Sequence, residues 1–135
     1  MATPSSSGIY VVTLTCSEEV PVTQDPRYVV DCGRVSSRNV KVGKAHNFAA
    51  RERNYWNDFG RDNVVFLPIA QTEHFQRAET AVLRELGSFR KLSPKDGRMD
   101  WLENIELDEV IRRAFLALRR EGIQHLSLLP AENDA

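Results

Sequence analysis

The sequence predicts an α/β (α+β) domain: a small, mainly antiparallel sheet of three strands flanked by helices, with an extra C-terminal amphipathic helix. Three observations predict it. Three runs rich in β-branched residues, "GIYVVTLT", "RNVKVGKA" and "NVVFLPIAQ", are separated by stretches of helical spacing. Two of the helical stretches, "TEHFQRAETAVLRELGS" and "LDEVIRRAFLALRREG", carry clear apolar stripes. A chain of 135 residues supports one hydrophobic core and is too short for two ordinary domains.

Taken in order, "MATPSSS" is small and polar and is expected to be a disordered tail over residues 1–7. "GIYVVTLT" is the first strand. "CSEEVPVTQDP", with two prolines and three acids, suits a loop, and "RYVVDCG" can form a short strand. In "RNVKVGKA", Val40 and Val42 alternate with Lys41 and Gly43, as in a half-buried strand. From Asn47 the spacing of Phe48, Arg51 and Tyr55 is helical, and "GRD" ends that helix. "NVVFLPIAQ" is the third strand, with Pro68 at an edge or near its end.

Residues 72–88 read as a helix that Thr72 can cap and Gly87 can stop. Its stripe is Phe75, Ala78, Val82, Leu83 and Leu86, and Glu79 falls on or beside it. A carboxylate there is either a functional group met by a cation or a stripe-edge residue whose head reaches water. "KLSPKDGR" reads as a loop and "MDWLE" as a compact turn or short strand. The last helix turns Val110, Ile111, Ala114, Phe115 and Leu118 inward, and the tail follows Leu129.

Cys16 and Cys32 could form one bridge. With no secretory leader before them, they read instead as free thiols in a reducing compartment, which makes the expected localisation cytoplasmic. No apolar run approaches the roughly 20 residues that span a bilayer. His46, His74 and His125 stand far apart and neither cysteine belongs to a Cys-x-x-Cys pair, so zinc is not expected. Glycine-rich phosphate loops are also missing, so no nucleotide cofactor is indicated.

The net charge is only −1, but residues 34–53 hold Arg34, Arg38, Lys41, Lys44, Arg51 and Arg53 against Glu52 alone. Such a strip is either a solvated face or a phosphate-binding patch, and charge alone does not separate the two. Beside this strip the sequence offers a strand tyrosine, a helix tyrosine and a helix glutamate. Phosphodiester cleavage needs an activated water, a cation over the non-bridging oxygens and stabilisation of the leaving oxygen. A tyrosine beside a lysine can act as general base, an arginine can hold phosphate by two parallel bonds, and one glutamate can hold a hydrated magnesium ion.

"GIY" at Gly8 to Tyr10 and "KVG" at Lys41 to Gly43 resemble the two halves of the GIY-YIG nuclease signature. The spacing that follows is also similar: Arg51 stands ten residues after Lys41, Tyr55 four residues later, and Lys44 three residues after Lys41. Glu79 on a later helix resembles the family's metal ligand. "DWL" at Asp100 to Leu102 resembles the Glu-Trp-Phe element of a phage-type branch, whose second triplet also begins with lysine. The resemblance implies a nuclease domain over residues 8–104, a helical extension over 105–129 and a tail over 130–135. It also implies a DNA partner and a Mg2+ (or Mn2+) cofactor on Glu79. The implied roles are Tyr10, assisted by Lys41, activating water, Arg51 and Lys44 on the scissile phosphate, and Tyr55 orienting it. Arg38 and Arg53 are expected to touch flanking phosphates. The segment between the triplets is longer than the family's usual hairpin; it is a substrate loop or a tolerated insertion, since lengthening a surface loop costs little entropy. Two other readings remain: a non-catalytic nucleic-acid-binding module, and a structural role in which Glu79 and Arg51 form an internal ion pair.

Overall fold

In the computed structural model, which describes residues 4, 6–23, 25, 27, 32–94 and 97–130, the two triplets face each other across one strand pair. Strand β1 (Gly8–Leu14) and the strand of the second triplet, β4 (Val40–Ala45), run antiparallel with Tyr10 opposite Gly43 and Val12 opposite Lys41. On its other side β1 pairs antiparallel with β5 (Val64–Gln71). The three expected strands are therefore the middle of the sheet. Almost every β1 residue is buried, because both faces of this strand are covered.

The sheet is larger than the three strands expected: among the described residues it has six strands, all antiparallel, in the order β6-β7-β4-β1-β5-β8. The added strands are β6 (Arg90–Ser93), β7 (Gly97–Leu102) and β8 (Leu126–Ser127). β6 and the start of β7 occupy the stretch expected to be a loop, and the rest of β7 falls on "MDWLE", expected to be a compact turn or short strand. Their polar residues carry no alternating signal, and their pairing is set by the register of Leu92 with Arg98 and of Lys41 with Trp101. β8 is only two residues long and pairs at Ala70 and Gln71, so at Pro68 β5 has no strand on that side and its missing donor is tolerated. The register also shifts beside Pro68, skipping Ile69.

The segment between the triplets forms its own small ladder, β2 (Val20–Pro21) with β3 (Arg34–Val35), whose Val35 is fully buried. The possible strand at "RYVVDCG" lies mostly outside the described residues. Cys16 and Cys32 are not bridged.

Helix α1 (Phe48–Phe59) begins where the Asn47 side chain accepts the Ala50 N–H at 3.0 Å, and ends at Gly60, whose φ of 90° suits glycine. The carbonyls of Pro4 and Ser6, within the stretch expected to be a disordered tail, accept the N–H groups of Ala49 and Phe48. Helix α2 (Phe75–Glu85) starts later than expected. Thr72 accepts the His74 N–H and donates to the Gln124 carbonyl, closing a turn ahead of the helix. Helix α3 is Leu107–Arg120.

Two cores lie on the two faces of the sheet. Ile9, Val11, Val40 and Val42 pack with Ala78, Val82, Val110, Ala114 and Leu118 under α2 and α3. Tyr10, Val12 and Ala45 pack on the other face with Phe48, Tyr55, Phe66 and Trp101 beside α1. Among the described residues no helix is long and apolar enough to cross a membrane.

Candidate active site

The site on the α1 face is built from Gly43 upward. A side chain there would place its Cβ 2.4 Å from the Tyr10 hydroxyl, so the absence of one lets the Tyr10 ring lie across β4. Phe66 stacks on that ring at 4.6 Å between centroids. The Tyr10 hydroxyl then meets the Tyr55 hydroxyl at 2.6 Å, and either can be the donor. Both rings are buried.

Burial pushes the Tyr10 hydroxyl up to about 12, while the bond from Tyr55 and the charge of Arg51 pull it down by less. Burial also raises Tyr55, and the neighbouring Tyr10 adds to that rise. This corrects the expectation that a lysine ammonium would favour the Tyr10 phenolate. The cation that lowers Tyr10 is Arg51, and desolvation outweighs it.

Lys41 projects on the same face, and its Nζ donates to Asp100 Oδ2 at 3.2 Å. Its side chain is only 16% exposed, and burial lowers its pKa even though Asp100 raises it. Asp100 is thereby a site residue that the motif reading left without a role. Its signal was present in "DWL", but its contact with Lys41 depends on a pairing between strands far apart in sequence.

On α1, Arg51, Asn54, Tyr55 and Asp58 recur at helical spacing and line one cavity of about 350 Å³, with Lys41, Asp100 and Trp101 on the sheet side. Val22, Phe59 and Met99 complete the wall. The long segment between the triplets therefore reaches the cavity through Val22. Arg51 is exposed and makes no salt bridge among the described residues, which leaves a guanidinium ready for an anion.

Lys44 and Glu79 stand elsewhere. Lys44 lies on the face of β4 that carries Val40 and Val42, and its Nζ donates to Glu79 Oε1 at 3.0 Å. The partner of Glu79 is thus Lys44, not Arg51. Past Lys41, β4 has no pairing with β7, so its outer edge from Val42 to Ala45 separates the two groups. The charge of Glu79 is still felt at the cavity, where it opposes ionisation of Tyr10 and supports the Lys41 ammonium. Among the described residues no group of three His, Cys, Asp or Glu side chains could hold a metal. A magnesium ion that keeps most of its waters asks for one or two carboxylates, and the hard oxygens of Glu79 fit that demand.

Arg38 is exposed in the turn before β4, and Arg53 is exposed on α1. Two residues along a helix turn the side chain by about 200°, so Arg53 does not share the face of Arg51.

The T5orf172 domain family matches residues 16–115, a span that includes the second triplet, Arg51, Tyr55, Glu79 and Asp100, and that begins after β1. No curated protein and no solved structure matches the chain. With well over half of its length matched, the chain belongs to the T5orf172 domain family, a phage-associated domain related to nuclease-like modules.

Proposed function

We propose that the chain is a metal-dependent endonuclease that hydrolyses DNA phosphodiester bonds. One observation carries this reading: a buried tyrosine hydroxyl pair lies beside a cavity lined by Arg51, which makes no salt bridge among the described residues. Arg51 binds the scissile phosphate through two parallel N–H bonds. Tyr10 Oη accepts the proton of the attacking water, and the Tyr55 hydroxyl donates to Tyr10 Oη as negative charge develops there. Lys41 adds a second positive charge on the sheet side of the cavity. Glu79 would hold Mg2+, with Lys44 keeping that carboxylate in place, and a bound ion would supply positive charge for the leaving oxygen.

A base with a pKa near 12 is almost wholly protonated at neutral pH. Cleavage should therefore speed up about tenfold per pH unit in the alkaline direction while Lys41 stays charged. The same high pKa favours the second reading, a nucleic-acid-binding module without turnover.

The test is incubation of purified protein with plasmid and oligonucleotide DNA, with Mg2+, with Mn2+ and with chelator. Cleavage is expected with either metal, and its loss is expected with chelator, in Tyr10→Phe and in Glu79→Gln. Salt-sensitive binding without cleavage would select the binding module instead. Undiminished cleavage in Glu79→Gln would remove Glu79 from the metal site.

A further inference from the structure

An acid is out of place in a cavity read as a phosphate site, because it repels the ligand. Asp100 is such an acid, and both of its oxygens are committed. Oδ2 accepts from Lys41 Nζ at 3.2 Å and Oδ1 accepts from Arg90 Nη2 at 3.0 Å. Arg90 is itself fixed, since its Nε donates to the Met99 carbonyl at 2.7 Å. Asp100 also sits on β7 next to the place where β7 touches β4, with Lys41 opposite Trp101. The carboxylate is thus held by a strand, by an arginine and by the lysine it contacts.

We propose that Asp100 is a positioning residue, whose carboxylate fixes the Lys41 Nζ at the cavity wall and keeps it a charged phosphate-binding group. The inference rests on the nuclease reading of the cavity. Without the carboxylate, a lysine this buried would lose its proton more easily and would be free to swing. The titratable groups around Lys41 are Arg51, Tyr55 and Asp58, which line the same cavity from α1, Asp100 on β7, Arg90 on β6 bonded to Asp100, and Glu79 on α2, whose charge reaches Lys41 from the other face of the sheet. The bond from Lys41 Nζ to Asp100 Oδ2 ties the ammonium to that carboxylate. Burial lowers the Lys41 pKa, and Asp100 is the strongest influence in the other direction.

The test uses the full chain and two readouts. Titration of the Lys41 side chain by NMR, its signal identified with Lys41→Arg, reads the charge state without DNA or metal. Asp100→Asn should shift the Lys41 pKa down. Arg90→Gln removes a neighbouring positive charge, keeps both members of the pair and should shift it up. The second readout is the single-turnover cleavage rate against pH. The rate should stop rising where Lys41 deprotonates, and in Asp100→Asn that levelling point should move to lower pH. An unshifted Lys41 pKa in Asp100→Asn, with a rate lowered equally at every pH, would reduce Asp100 to a packing role and overturn the proposal. If Asp100→Asn does not fold, an unchanged or lowered pKa in Arg90→Gln overturns it alone. A wild-type chain that never cleaves DNA would sink the nuclease reading, while the titration would still decide the role of Asp100.

Discussion

Gly43 and Tyr10 constrain each other, and this single contact links the two triplets. In Gly43→Ala the new methyl carbon would meet the Tyr10 hydroxyl at 2.4 Å and its Cζ at 2.6 Å, so the ring must leave its place on Phe66. Overpacking of this kind costs roughly 1–3 kcal/mol, and the displaced hydroxyl loses its bond to Tyr55 as well. The expected outcome is a lower denaturation midpoint together with loss of cleavage. Normal cleavage by a stably folded Gly43→Ala would show that the position of Tyr10 does not matter to the reaction. The same tyrosine predicts how stability depends on pH. Its pKa is about 12 in the folded chain and about 10 when unfolded. The unfolded chain therefore loses this proton first, and the contribution, about 2–3 kcal/mol, is fully present below pH 10 and disappears as pH rises toward 12. Urea denaturation at pH 9 and pH 11, with phenolate absorbance followed in parallel, should show the loss in the wild type and a smaller loss in Tyr10→Phe.

At the level of the helix, α1 sorts the arginines. Arg51 faces the cavity with Tyr55 one turn on, whereas Arg53 points away from it. Arg51→Ala should lower the single-turnover rate at saturating DNA by a hundredfold or more, about 3 kcal/mol of transition-state stabilisation. Arg53→Ala should instead weaken binding slightly and reduce its salt dependence. Equal effects of the two variants on the rate would place the phosphate elsewhere. These elements differ in how far the sequence disclosed them. β1, β4, β5 and the three helices were legible because β-branched runs and apolar stripes carry their period. β6 was not, and β7 was legible only as a turn or short strand at "MDWLE", because Arg90, Lys91, Arg98 and Asp100 mask the alternation and the pairing is long-range. The separation of Lys41 from Lys44 could have been read. A spacing of three along a strand puts two side chains on opposite faces. The ion pairs of Lys41 with Asp100 and of Lys44 with Glu79 could not, since local spacing says nothing about which distant carboxylate arrives.

Across the molecule, the two cores share β1, whose Ile9 and Val11 face α2 and α3 while Tyr10 and Val12 face α1. Helix α3 is therefore more than an appendage, because its Val110, Ala114 and Leu118 are fully buried in the core that Ile9 and Val11 enter. Leu118→Ala should cost about 2–5 kcal/mol. The loss should appear in one transition seen alike by far-UV circular dichroism and by fluorescence of Trp101, which sits in the opposite core. Two separate transitions would mean that the faces fold independently. The strand that divides the faces has a further consequence. β4 sends Lys41 and Gly43 one way and Lys44 the other, so its information is stored as parity. The chain before it can change length by many residues at little entropic cost. One residue inserted or deleted between Val40 and Ala45 inverts every later side chain. It would drive a lysine toward the α2 core, put a side chain under the Tyr10 ring and detach Glu79, three losses from one indel. Length variation in descendants of this gene should accordingly gather ahead of β4 and stop at its first residue.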